Sequence, residues 1–109
     1  MKEISVQELK ERLEKGEKLN VIDVREEWEY EEFNIGARNI PLSIFMSKME
    51  ELQNLKDEEL IMHCKSGVRS ANATHFLQQR GFTNVKNLSG GMEAWKKNFG
   101  HGYTPQIPK

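Results

Sequence analysis

The one cysteine of this 109-residue chain, Cys64, follows a short apolar run, Leu60-Ile61-Met62-His63, and precedes Lys65-Ser66-Gly67-Val68-Arg69-Ser70. This order sets a thiol between the end of a strand and the start of a helix. The first N–H groups of a helix lack intrahelical acceptors and its dipole is positive there, so the setting suits an anion. It also suits a thiolate, because such a field lowers a cysteine's pKa from its free value of about 8.5. Cys64 is the candidate nucleophile. A free cysteine can also serve only as a small hydrophobe. Its place at a strand end beside two cations, where ligands gather in open α/β sheets, favours chemistry. Lys65 supplies positive charge, Ser66 a hydroxyl donor, and Gly67 the freedom to curl the loop and turn its amides inward. Arg69 has two open readings. Its planar fork can face a bound anion, or it can pair with Asp23 or Glu26 beneath the loop and hold the loop rigid.

The elements that must position these residues alternate along the chain. Ser5 and Glu8 have capping-box spacing, and Val6, Leu9 and Leu13 share a face, which predicts a helix over 6–15 stopped at Gly16. Asn20-Val21-Ile22-Asp23-Val24 is apolar at nearly every position, as in a strand covered on both faces. Asp23 and Arg25 at its end read as structural supports for neighbouring loops. The acidic stretch from Arg25 to Glu32 reads as a brief helix or turn anchored by Trp28 and Phe33. Gly36 to Leu42 reads as a turn and a short edge strand, since Pro41 cannot donate to a ladder. Ile44, Phe45, Met49 and Leu52 form a helical stripe. After the strand over 60–63, a helix is expected from Arg69 to Gln79, with Ala73, Phe76 and Leu77 inward. A strand over 85–88 and a short helix over 92–98 carrying Trp95 complete the domain. Residues 99–109 read as an irregular tail that could serve docking or simply fray. Strands alternating with helices predict an α/β fold on a small parallel sheet.

Composition narrows the function. Charged residues are 30% of the chain and nearly cancel, for a net charge of -1. That balance argues against nucleic-acid or membrane binding carried by overall charge. No apolar run is long enough to span a membrane, and residues 1–8 lack the apolar core of a signal peptide. A lone thiol fits a reducing compartment, so a cytoplasmic monomer is the expectation. His63, His75 and His101 have neither the spacing nor the partners of a metal site.

Four stretches together resemble the rhodanese domain in its single-domain form, over about residues 3–98. They are Val21-Ile22-Asp23-Val24-Arg25-Glu26, Gly36-Ala37-Arg38-Asn39-Ile40-Pro41-Leu42, Cys64 through Ser70, and Leu88-Ser89-Gly90-Gly91-Met92 with Trp95. The resemblance implies a domain over 1–98 with a parallel sheet of about five strands flanked by helices. It implies a sulfurtransferase in which Cys64 takes a sulfane sulfur from thiosulfate or a persulfide. The resulting Cys64 persulfide would pass that sulfur to cyanide or a thiol. The backbone of Lys65, Ser66, Gly67, Val68 and Arg69 would cradle the outer sulfur. No metal or organic cofactor is implied, and the donor could be a small anion or a partner protein. Relatives also include persulfide carriers and non-catalytic binding modules. Related folds with a cysteine and a downstream arginine act as phosphatases or arsenate reductases, but their loops are one residue longer than the four between Cys64 and Arg69. The chain departs from the family at Asn34-Ile35-Gly36-Ala37, where one residue is missing and Asn34 replaces a histidine.

Overall fold

The protein was analysed as a computed structural model that describes residues 1–101. Its centre is a five-stranded parallel sheet formed by β1 (Lys2–Ile4), β2 (Asn20–Asp23), β3 (Arg38–Asn39), β4 (Leu60–His63) and β5 (Val85–Leu88). The strand order is β1-β5-β4-β2-β3, so β4 is the central strand. It pairs along its length with β2, from Asn20 opposite Leu60 to Asp23 opposite His63, and on its other side with β5. Four of the strands fall on the segments expected from the sequence, whereas β1 was not foreseen. Its three residues carry too little pattern to be read, and it forms by adding to the free edge of β5.

Alternation of side chains along each strand divides the core in two. Ile22, Leu60, Met62 and Val85 face one side, where α3 (Val68–Gln79) brings Ala73 and Leu77. A 3₁₀ segment over Leu42–Leu55 brings Phe45, Met49 and Leu52 to the same side. Val21, Ile61 and Leu88 face the other side, against α1 (Val6–Glu14) and α4 (Gly91–Phe99). There Trp95 is fully buried and Met92 nearly so. Cover on both faces explains why β4 is buried at all four positions and why its sequence shows no polar alternation.

Two short helices differ in what holds them. In α1, the Ser5 hydroxyl accepts from the Glu8 N–H at 3.1 Å, and Val6, Leu9 and Leu13 are buried as their spacing predicts. The acidic helix α2 (Glu27–Glu32) buries no residue. Trp28, expected as an anchor, is 63% exposed, while Phe33 is half-buried against the second core cluster. Polar contacts described below hold α2 in place of an apolar face. Asn34 closes the shortened turn: its Nδ2 donates to Tyr30 O at 2.9 Å and its Oδ1 accepts from the Gly36 N–H at 2.9 Å. At the far end of the chain α4 runs through Phe99, whose ring meets Trp95 edge-on at 4.9 Å. Residues 102–109, most of the expected tail, lie outside the described residues.

The start of α4 lies against the loop that follows β4. Gly91 has φ +54°, and a Cβ there would collide with the carbonyl oxygen of Cys64 and lie 2.8 Å from that of Lys65. Both obstacles are backbone and cannot rotate away. Gly91→Ala is expected to destabilise the protein by at least about 2 kcal/mol in urea unfolding, from left-handed strain and this overlap together. Unchanged stability would show that the loop and α4 are not in such close contact.

Candidate functional site

Cys64 leaves the carboxyl end of the central strand and is only 1% exposed. The loop after it is held from outside. The Met92 N–H donates to Cys64 O at 2.9 Å, and the Glu93 N–H donates to Lys65 O at 2.9 Å. The free N–H groups at the start of α4 thus bind the loop's carbonyls. With those carbonyls turned outward, following N–H groups can turn in. Gly67, at φ +104°, makes the bend and directs its N–H to Cys64 Sγ at 3.1 Å. Ser70, in the first turn of α3, adds its N–H and its hydroxyl, each 3.4 Å from Sγ.

Among the residues expected to form the cradle, Gly67 therefore reaches Sγ directly. The side chains of Lys65, Ser66, Val68 and Arg69 make no hydrogen bond to it among the described residues. Lys65 is exposed and lines a cleft of about 220 Å³ with Arg25, Trp28, Glu29, Met92 and Lys96. Val68 is 68% exposed at the loop's rim. Arg69 follows neither Asp23 nor Glu26. Its Nη1 and Nη2 donate to the two carboxylate oxygens of Glu29, at 2.7 and 2.9 Å. The same Glu29 accepts the Glu26 N–H at 2.9 Å. Arg69 thereby ties α3 to α2, and its hydrogen bonds hold the Glu29 carboxyl down at about 2.

Asp23 and Arg25 pair with each other at the carboxyl end of β2. Both are buried, and Arg25 Nε and Nη2 grip the Asp23 carboxylate at 2.8–3.1 Å. Arg25 Nη2 also donates to Phe33 O at 2.6 Å, fastening the end of α2 to β2.

Two polar residues complete the site that the sequence reading did not single out. The Ser70 hydroxyl lies 2.5 Å from Asn87 Oδ1, and Asn87 Nδ2 donates to Gly67 O at 3.1 Å. One buried amide on β5 therefore fixes both Gly67 and Ser70. A signal existed: Asn87 is an uncharged polar residue within the strand Val85-Lys86-Asn87-Leu88, where a buried amide needs partners.

Burial pushes the Cys64 thiol up, but it is outweighed by the Ser70 hydroxyl and the N–H groups of Ser70, Gly67 and Ser66, so the net shift is downward. The arrangement can hold a thiolate, or an anion attached to it, without a metal or organic group. Among the described residues, no three His, Cys, Asp or Glu side chains are grouped to hold a metal ion. No helix among them is long and apolar enough to cross a membrane.

A thiol aimed into a ring of N–H donors, at the carboxyl end of the middle strand of a parallel sheet, defines the class of α/β protein with a cysteine-based anion cradle. The chain belongs to the rhodanese family: the Rhodanese-like domain matches residues 5–98. It is 44% identical over 97 residues to YtwF of Bacillus subtilis (strain 168), covering 88% of this chain and 91% of that protein. It is 33% identical over 97 residues to a sulfurtransferase of Allochromatium vinosum, covering 88% and 89%. The crystal structure of a rhodanese-like domain protein from Staphylococcus aureus superimposes with a TM-score of 0.82 at 30% identity, covering 100% of both chains. Some relatives are longer, and the chain spans 24% of MoeZ from Mycobacterium tuberculosis. Family and relatives together support a sulfurtransferase.

Two outcomes test the site's electrostatics. Ser70→Ala is expected to move the midpoint of iodoacetamide alkylation of Cys64 to higher pH. The rate at neutral pH should fall about tenfold, the lower end of what a hydrogen bond to a charged group contributes. An unmoved midpoint would show that the Ser70 hydroxyl gives its one proton to Asn87 Oδ1 and not to Sγ, leaving only the Ser70 N–H at the sulfur. The second concerns His63, which is fully buried beside Asp23 and whose ring nitrogens have no hydrogen-bond partner among the described residues. Burial lowers its pKa, so the folded state keeps it neutral while the unfolded chain protonates near 6.5. Stability is then present above 6.5 and lost as pH falls below it, by at most about 1.4 kcal/mol per pH unit. Glu29 and Glu59, both held at about 2, release stability only below the unfolded carboxylate value of about 4.5. Urea melts between pH 6.5 and 5 should therefore show a decline that His63→Phe flattens; a flat wild-type profile would count against a neutral buried His63.

Proposed function

We propose that the protein is a sulfurtransferase in which Cys64 carries sulfane sulfur as a persulfide. The carrying observation is the convergence of the Gly67 N–H, the Ser70 N–H and the Ser70 hydroxyl on Cys64 Sγ. The Cys64 thiolate attacks the outer sulfur of the donor and forms a new S–S bond. The donor's own bond to that sulfur breaks, and its electron pair leaves on sulfite if the donor is thiosulfate, or on a thiolate if it is a persulfide. An acceptor, cyanide or a thiolate, then attacks the terminal sulfur and returns Cys64 to the thiolate. Each step is a displacement at sulfur of the thiol–disulfide type, and in each the leaving group is a sulfur-centred anion whose negative charge needs stabilising. Preorganised N–H dipoles supply this without solvent rearrangement. Lys65 attracts an anionic donor to the rim, and the other loop amides from Lys65 to Arg69 lie along the path of the outer sulfur. The acceptor is a small molecule or a thiol on a partner protein, and the reaction is placed in the cytoplasm.

Phosphoryl transfer is a poorer fit. It would ask Arg69 to face the substrate, and Arg69 is engaged with Glu29. A purely structural module is also a poorer fit, because it gives no reason to surround a thiol with donors that favour its ionised form.

Intact mass after incubation with thiosulfate, and separately with polysulfide, tests the proposal. The wild-type protein is expected to gain about 32 Da, the mass of one sulfur, and Cys64→Ala to gain nothing. Absence of the gain with both donors would overturn the reading.

A further inference from the structure

We propose that Glu29 sets the donor preference of the Cys64 site: by binding Arg69 it withholds that guanidinium from an incoming anion, so singly charged persulfide sulfur is taken in preference to dianionic thiosulfate. The inference rests on the persulfide reading above and adds to it the class of donor.

The ion pair is closed. Arg69 uses both terminal nitrogens on both oxygens of Glu29, and the backbone N–H of Glu26 holds the carboxylate from the opposite side. Glu29 is ionised throughout the working pH range, its pKa being held at about 2 first by the Arg69 hydrogen bonds. Arg69 nonetheless stands in the first turn of α3, directly before Ser70, whose N–H and hydroxyl lie 3.4 Å from Cys64 Sγ. An unpaired guanidinium there would be a strong site for the two negative oxygens of thiosulfate. Paired, it contributes a dipole and no net charge.

The surrounding charges do not replace it. Arg25 is committed to Asp23. Lys65 has no ion pair among the described residues, but Glu29, Glu32 and Glu93 line the same cleft with it and Lys96. The helix beside the loop reads Glu27-Trp28-Glu29-Tyr30-Glu31-Glu32. A dianion drawn toward Lys65 meets little net positive charge and gives up hydration that the loop amides alone must replace. A persulfide monoanion gives up less. Its terminal sulfur needs only the N–H cradle that Gly67 and Ser70 form.

Glu29→Gln tests this, since the amide keeps the shape and an oxygen for the Glu26 N–H while releasing Arg69. Rates of Cys64 persulfide formation are measured by intact mass, with thiosulfate and with cysteine persulfide as separate donors. The ratio of the thiosulfate rate constant to the cysteine persulfide rate constant is expected to rise about tenfold in Glu29→Gln, the order of one partly screened charge acting on a dianion. The gain should shrink with added salt and disappear in Glu29→Gln/Arg69→Ala. Glu29→Ala, which also frees Arg69, is expected to move the ratio in the same direction if glutamine disturbs α2. A ratio within twofold of wild type in both single variants overturns the inference while leaving the persulfide reading intact. Failure of the wild-type protein to take sulfur from either donor overturns both.

Discussion

The site depends on two hydrogen bonds that do not touch the sulfur. The Met92 and Glu93 N–H groups, at the start of α4, capture the carbonyl oxygens of Cys64 and Lys65. A peptide unit is rigid and planar, so fixing where its carbonyl points also fixes where its N–H points. A loop left to itself would turn some of each toward the thiol, and a carbonyl beside a thiolate would oppose its charge. Here the carbonyls of Cys64 and Lys65 are claimed from outside, which fixes the N–H groups of Lys65 and Ser66 and leaves the Ser66 N–H to favour the thiolate beside those of Gly67 and Ser70. The need for this contact explains Gly91, since no side chain fits between α4 and the loop carbonyls.

Around this arrangement, charge is distributed in pairs. Asp23 is held by Arg25, Glu29 by Arg69, and at the other end of the sheet Glu59 by Arg12 and Lys86. A buried or half-buried carboxylate without such a partner would carry a desolvation cost of several kcal/mol. The pairs also act as joints. Arg25 fastens α2 to β2, Arg69 fastens α2 to α3, and Arg12 fastens α1 to the entry of β4. At Cys64, by contrast with these pairs, negative charge is met by neutral N–H and O–H groups. A neutral cradle stabilises the thiolate without tying it up in a salt bridge, and so leaves it free to react.

Much of this was legible in the sequence, for physical reasons that also mark where legibility stopped. Largely apolar runs at 20–24 and 60–63 reported a sheet covered on both faces, because burial of both sides leaves little room for polar residues. The Cys64 loop stood out because its residue types are specific to a tight turn before a helix. What escaped depended on contacts distant in the chain. β1 is too short to carry a pattern. Trp28 looked like an anchor by residue type, yet α2 is held by Arg25 and Arg69, whose partners cannot be chosen from spacing alone. The sequence leaves Arg69 open between facing an anion and pairing with Asp23 or Glu26; in the fold it pairs with Glu29, about one helical turn beyond Glu26. Ser70 was visible in the motif, but its role required knowing that Asn87, seventeen residues later, lies opposite it.

Asn87 also makes the loop mechanically part of the sheet. It belongs to β5, which is bonded to β1 on one side and to β4 on the other. Its side chain holds Gly67 and Ser70 together. A surface loop ordinarily opens and closes far more often than the core unfolds. This loop is clamped by an amide rooted in the middle of the structure, so its donors can separate from the sulfur only when β5 itself gives way. The arrangement of donors around Cys64 Sγ is then as steady as the strand that carries Asn87, and not as changeable as the surface on which the loop lies.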